Sequence, residues 1–298
     1  MSSKKLILSI LRENGGYLPQ SRLKEITGLS KSRLSEILSE LEKEGEISRE
    51  KIIGRNLSVS LRNSLRIGII NAAEYPFIIP FYKKVKEKGY NPKLEVYSDG
   101  VSLTKDLVLG KLEVVMSPLV TQIFFNRIFG NITILSGGAK GGGGIVGENC
   151  GKVGSTFISS MEAWTLEYCK EADIVHMRSP TELIEKLDRK EVDAVAIWEP
   201  YLTLLKSRGI KVNYFEHEHC CTLAIRKDVT KAEEIKRIYE ESFSEFLSSK
   251  ERWISDYSNF LNFDHNVLSD AVKTYEFDSY LDPKEMQKNR KISISLKN

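Results

Sequence analysis

The sequence predicts an α/β protein in two parts: a small helical domain closed by a hairpin over residues 1–62, and a two-lobed α/β body over residues 65–298. Three observations predict it. Beyond residue 65, short apolar runs alternate with amphipathic stretches, the pattern of strands joined by helices in largely parallel sheets. A glycine-dense stretch near residue 140 divides that alternation into two blocks. The net charge of +3 also divides, at residue 62: twelve Lys and Arg face eight Asp and Glu before it, a net of +4, and the rest carries −1. A basic segment on a near-neutral body is the distribution of a nucleic-acid-binding appendage.

Composition excludes several classes. With 41% hydrophobic residues the chain is too apolar to be disordered, and no apolar run reaches the roughly 18 residues of a membrane span. The opening Met1-Ser2-Ser3-Lys4-Lys5 leads into an amphipathic stretch with Arg12 and Glu13, not a secretory core, so a cytoplasmic location away from membranes is expected. Cys150, Cys169, Cys220 and Cys221 are too few and too irregular for a disulfide framework and suit a reducing compartment.

In chain order, Leu6, Ile7, Ile10 and Leu11 have helical spacing and stop at Gly15-Gly16. Pro19 opens a second short helix, with Leu23 and Ile26 inward and Gly28 at its end. Ser30 N-caps a third, buried along Leu34, Ile37, Leu38 and Leu41 and closed by Gly45. Ile47 to Arg49 and Leu57 to Leu61 are extended around a turn at Gly54, a β-hairpin. After the joint Arg62-Asn63-Ser64, strands are predicted over 65–70, 94–98, 114–116 and 132–135, then 174–177 and 194–197. Helices are predicted over 75–88, 101–109 and 118–129, then 156–171, 181–190 and 199–206. Strand 222–226 and helices over 231–262 and 265–274 return to the first lobe, and the polar, basic tail 283–298 is expected to be partly mobile. Lobe one is then about 65–145 with 214–298, and lobe two about 150–212.

The segment Gly28-Leu-Ser-Lys-Ser-Arg-Leu-Ser-Glu-Ile-Leu-Ser-Glu-Leu-Glu-Lys-Glu-Gly45 resembles the recognition-helix region of MarR-like regulators, and the likeness extends over residues 3–61. It implies a winged helix-turn-helix whose partner is double-stranded DNA, the third helix entering the major groove with its N-terminal end at base edges. The DNA-binding candidates are Ser30, Lys31, Ser32, Arg33 and Ser35 at that end. Arg49, Lys51 and Arg55 on the hairpin would meet phosphates or the minor groove. A single wing makes few phosphate contacts, so a homodimer on a pseudo-palindrome is expected. The competing reading is a helical subdomain for protein contacts, its charges merely solvated.

In the body, Ser98-Asp99-Gly100-Val101, Val153-Gly-Ser-Thr156, Val192-Asp-Ala-Val-Ala-Ile-Trp-Glu-Pro-Tyr201 and Cys220-Cys221-Thr-Leu-Ala-Ile-Arg-Lys-Asp228 are similar to type 2 periplasmic binding proteins. The closest group is the one that binds sulfonates, nitrate and thiamine precursors, and the likeness covers about residues 65–265. It implies a two-lobed, periplasmic-binding-protein-like domain that closes on a small molecule. Ligands of open α/β sheets lie beyond the carboxyl ends of the strands. The ligand-binding candidates are therefore Glu74, Tyr75, Ser98, Asp99, Ser102, Ser117, Ser136 and Gly137 in lobe one, with Ser155, Thr156, Trp198 and Glu199 in lobe two. Each hydroxyl could instead cap a helix, and Trp198 could pack in the core. Three carboxylates (Glu74, Asp99, Glu199) against one cation, Lys140, favour a neutral or cationic polar compound over a small oxyanion.

Two further motifs compete for a role. Glu216-His217-Glu218-His219-Cys220-Cys221 would place His217, His219 and Cys221 on one strand face as metal ligands, or else form a loop running into a buried strand. Gly142-Gly-Gly144-Ile-Val-Gly147 satisfies G-x-G-x-x-G, but no helix start follows it, and a flexible crossover or ligand-gating loop is expected instead. No cofactor and no catalytic residue is expected. The function read from the sequence is a ligand-responsive transcription regulator rather than an enzyme. The alternative is a metal-dependent or thiamine-pyrimidine-synthase-like enzyme on the same fold. The fungal synthases carry a cysteine-rich motif and a histidine after the first strand, where this chain has Cys220-Cys221 and Asn71-Ala72-Ala73-Glu74.

Overall fold

The computed structural model describes residues 2–51, 57–216 and 218–295. Arg55, His217 and the turn expected at Gly54 lie outside the described residues, as does the side chain of Lys51.

The N-terminal part contains α1 (Ser3–Glu13), β1 (Tyr17–Pro19), α2 (Gln20–Thr27), α3 (Lys31–Lys43), β2 (Ile47–Lys51) and β3 (Leu57–Leu61). Ser2 caps α1 and Ser30 caps α3, each hydroxyl accepting a backbone amide of the first turn, while Gly28 ends α2 at φ 64°. Its separate core joins Ile7, Leu11, Leu23, Leu34, Ile37, Leu38, Leu41 and Val59. The hairpin strands carry an unforeseen third strand, in the order β1-β3-β2. Ile26, expected inward, lies in the last turn of α2 and is 44% exposed.

Lobe one begins with β4 (Ser64–Ile70), α4 (Ile78–Glu87), β5 (Asn91–Tyr97), α5 (Gly100–Val108), β6 (Val114–Pro118), α6 (Leu119–Phe129) and β7 (Ile132–Ser136). The chain crosses over through β8 (Gly138–Gly141) and β9 (Gly143–Gly147). Lobe two continues as β10 (Lys152–Thr156), α7 (Ser160–Tyr168), β11 (Asp173–Met177), α8 (Pro180–Asp188), β12 (Ala194–Trp198), α9 (Tyr201–Ser207) and β13 (Val212–Tyr214). The return comprises β14 (Cys221–Arg226), α10 (Ala232–Ser248), α11 (Lys250–Leu261), α12 (His265–Val272), β15 (Tyr275–Asp278) and α13 (Pro283–Ser295).

Each lobe is built on a five-stranded sheet, β5-β4-β6-β14-β7 and β11-β10-β12-β9-β13. The sheets are mixed: β14 runs antiparallel between β6 and β7, and β9 antiparallel between β12 and β13. The central strands β4, β6 and β12 are buried along nearly their whole length, as strands inside an α/β sheet are.

Four expectations are corrected here. The glycine-dense stretch is two paired strands, not a flexible loop. A Cβ on Gly144 would come within 2.8 Å of the Asn213 carbonyl, and one on Gly147 within 2.5 Å of Ala194 Cα, so these glycines let neighbouring backbone approach. Because β9 pairs with β12, the crossover falls near Gly142, three residues before the expected boundary. The tail is a helix, α13, packed on α6 and tied down by Glu285 and Lys288. Finally, Cys150 and Cys169 form a disulfide across 19 residues, whereas Cys220 and Cys221 are free and buried. Among the described residues no helix is long and apolar enough to cross a membrane.

Candidate functional site

The strand ends of the two lobes converge on one cleft. Its walls are Ile70, Ala72, Glu74 and Tyr75 after β4, Gly100 at the start of α5 and Pro118 at the end of β6. Lobe two adds Thr156 at the end of β10, Ser159, Ser160 and Met161 around the start of α7, and Trp198 at the end of β12. Cys220 and Cys221 close it at the start of β14. All the space between the lining atoms amounts to about 330 Å³, but the centre of a water molecule has only about 20 Å³ in which to move.

The space is small because the lobes are shut on each other. Trp198 Nε1 donates to the Asn71 carbonyl at 3.0 Å, and the Ala73 amide donates to the Glu199 carbonyl at 2.9 Å. Thr121 Oγ1 donates to the Ile158 carbonyl at 2.5 Å, and Ser160 Oγ to the Cys220 carbonyl at 3.1 Å. These four hydrogen bonds run between lobe two and the elements of lobe one, at about 1 kcal/mol each.

Glu74 is the central charged group. It is 3% exposed, accepts the Cys221 amide at 3.1 Å, and burial pushes its carboxyl up to about 8, so at neutral pH it is mostly a neutral acid. Tyr75 beside it has a fully buried hydroxyl next to the Glu74 carboxyl and the Cys221 thiol, and burial raises its phenol well above the usual range. Burial likewise raises the Cys221 thiol.

Of the residues expected to bind a ligand, Glu74, Tyr75, Thr156 and Trp198 line this cleft. The other eight do not, and most have a local partner instead. Ser98 Oγ donates to Asp99 at 3.3 Å, and Asp99 caps α5 by accepting the Ser102 amide at 2.7 Å. Ser117 is hydrogen-bonded to Thr104 and Gln122. Ser136 Oγ and the Gly137 amide both donate to the Ser279 carbonyl, beyond β15. Ser155 lies behind the wall, its buried hydroxyl without a partner. Glu199 accepts the Thr203 amide and the Tyr214 hydroxyl, both at 2.8 Å, and burial raises its pKa. The expected trio of carboxylates thus reduces to Glu74. Lys140 is engaged by Asp278 at 2.7 Å.

The expected metal cluster is also different. His219 is turned away from Cys221: its Nδ1 pairs with Glu285 at 2.6 Å and its Nε2 with the Asp278 carbonyl at 2.9 Å. The carboxylate that joins the thiols is Glu74, 146 positions before Cys220. Sequence reasoning missed Cys220, Met161 and the two serines at the start of α7. Ser159 had a visible signal, since it is an N-cap three residues past a strand end; Cys220 had none.

On the N-terminal domain, Lys31, Ser32 and Arg33 are exposed at the first turn of α3, with Ser35 half-buried. Arg33 reaches Glu36 at 2.7 Å, an exposed pair that competes weakly with other partners. The Arg49 guanidinium is held by Glu42 and by Ser39 Oγ, which fastens β2 to α3.

The comparisons agree with this geometry for the body. The ligand-binding component of an ABC-type import system from Staphylococcus aureus, solved with zinc bound, superposes with a TM-score of 0.67 at 14% identity over 78% of this chain and 91% of that one. The alkanesulfonate-binding protein of Xanthomonas axonopodis pv. citri bound to MOPS gives 0.63 at 11% identity, over 78% and 91%. A Candida albicans gene product described as having the generic periplasmic binding protein fold gives 0.60 at 14% identity, over 78% and 91%. The body has the two-lobed fold of periplasmic binding proteins. Residues 1–62 match the model of a domain of unknown function (DUF7343), and no curated protein matches the chain.

Proposed function

We propose that the protein is a ligand-responsive transcription regulator, a sensor rather than an enzyme. Residues 1–62 act as a winged helix-turn-helix on operator DNA, and the two-lobed body senses a small ligand in its cleft. The observation that carries this reading is the course of β4. It starts at Ser64, two residues after the N-terminal domain, and its far end opens into Ala72, Glu74 and Tyr75 of the cleft wall. Seven residues, about 23 Å of strand, run from the joint to the cleft wall. The exposed Lys31 and Arg33 at the start of α3, on a domain of net charge +4, supply the basic reading end. Because one such domain touches few phosphates, a homodimer on a two-fold operator is part of the proposal.

Selection of bound duplexes from a random pool by the full-length chain tests it. A single enriched motif with two half-sites about one helical turn apart is expected. Arg33→Ala should weaken binding to that motif by about tenfold or more, the cost of one lost base contact. Any compound that raises the melting temperature through the cleft should also shift operator affinity. Absence of an enriched motif, or unchanged affinity in Arg33→Ala, would overturn the reading.

A further inference from the structure

Cys220 and Cys221 are sequence neighbours, and on a regular strand their side chains would point to opposite faces. Here β14 begins only at Cys221, and Cys220 turns its thiol to the same side. Both line the cleft, and their Sγ atoms are 3.7 Å apart. A carboxylate oxygen of Glu74 completes a group whose three donor atoms all lie within 4.8 Å of one another. The Cys221 amide holds Glu74 in place at 3.1 Å. Tyr75 adds to the same cavity a buried hydroxyl beside the Glu74 carboxyl and the Cys221 thiol.

Two magnitudes decide what such a site accepts. A tetrahedral ion bound by thiolates at about 2.3 Å has a sulfur–sulfur edge of roughly 3.8 Å, so the observed spacing fits with almost no rearrangement. The room left, about 20 Å³ for the centre of a water, suits one ion or water rather than an organic molecule. The chemistry of the lining agrees, since it contains no Lys, Arg or His and offers two thiols, a thioether (Met161) and one carboxyl.

We propose that the cleft binds one thiophilic divalent cation of the zinc class through Cys220, Cys221 and Glu74, with a fourth position on the Tyr75 side. The Cys220 carbonyl accepts Ser160 Oγ from lobe two, so an ion that fixes Cys220 favours the shut lobes over the open ones. Its role as the effector rests on the regulator reading above; the site itself does not.

The test uses the full-length chain, stripped with a chelator and titrated with Co(II). One equivalent should develop an intense near-ultraviolet thiolate band and the visible bands of a tetrahedral site, and Zn(II) should bleach both. The Cys220→Ser/Cys221→Ser variant should lose the bands while keeping a cooperative melt; if it does not fold, each single serine variant should lose part of the thiolate band. Cys150→Ser/Cys169→Ser should keep them. Absence of bands in folded protein with two free thiols, or bands that persist in the double-serine variant, would overturn the site. Tight one-to-one binding with no effect of Zn(II) on operator affinity leaves the site standing and removes its role as the effector. No metal binding, together with an organic compound that shifts operator affinity, removes the site and leaves the regulator reading standing.

Discussion

Glu199 has both carboxylate oxygens occupied, by the Thr203 amide and the Tyr214 hydroxyl, yet burial still raises its pKa above the ordinary 4.5. The folded chain therefore holds this proton more tightly than the unfolded chain, and stability falls as pH rises from about 4.5 through the raised value. Glu74, pushed up to about 8, acts with the same sign. Glu199→Gln should thus flatten part of the decline in melting temperature between pH 5 and pH 8 in metal-free protein; equal slopes in variant and parent would contradict it. The same residue shows what the sequence could resolve. Glu74, Thr156, Asp99 and Glu199 all sit at or just past strand ends, where ligand contacts and helix caps use the same residue types. The sequence located those turns, but whether each carboxylate faces the cleft or the next helix depends on backbone direction at the turn. Cys220 was hidden for a related reason, because period-two alternation turns it outward and only the late start of β14 turns it in.

At the scale of elements, α13 holds the return segment through a buried pair. The His219 side chain is wholly buried, and its Nδ1 is 2.6 Å from Glu285, which is 19% exposed. From the same helix, Lys288 reaches Glu218 at 2.6 Å and Glu167 of α7 at 3.1 Å, linking the tail to lobe two. Glu285→Ala strips the buried imidazole of its partner and should cost about 1–3 kcal/mol, read as a lowered urea midpoint with an unchanged slope. A change within error would show that water replaces the carboxylate. Elements with strong periodicity, such as α3 and β12, were legible because their burial pattern is local. β8 and β15 were not: they pair Tyr275 with Gly141 and Asp278 with Gly138, far apart in sequence, and glycine carries no hydrophobic signal. The tail read as mobile because its polar residues make specific contacts instead of burying an apolar stripe.

For the whole molecule, the question is how a shut cleft could be felt at α3. The two parts have separate cores, so the path must cross the joint. There Arg66 of β4, 2% exposed, pairs with Glu113 through Nε at 3.0 Å and through Nη2, which also donates to the Gly110 carbonyl. The face of that guanidinium lies 4.1 Å from the centre of the Tyr17 ring on β1. Around it the Leu61 amide donates to the Gly16 carbonyl at 2.7 Å within the N-terminal domain, and Gly16 lies against Ser64, where a Cβ would meet Ser64 Oγ at 2.8 Å, so the two parts touch at the joint. A desolvated cation–π contact is worth about 2 kcal/mol and depends steeply on ring placement. A shift of β4 on lobe closure therefore changes the energy of the N-terminal domain's seat. Tyr17→Ala removes the contact without touching α3 or the cleft. Operator affinity of the ligand-free variant should stay within about threefold of the parent, whereas the ligand-induced change should shrink by about fivefold or more, at least 1 kcal/mol of coupling. Fluorescence anisotropy on a labelled operator, with and without saturating ligand, measures both. If the ligand effect persists in full, coupling passes through the dimer interface rather than through Arg66 and Tyr17.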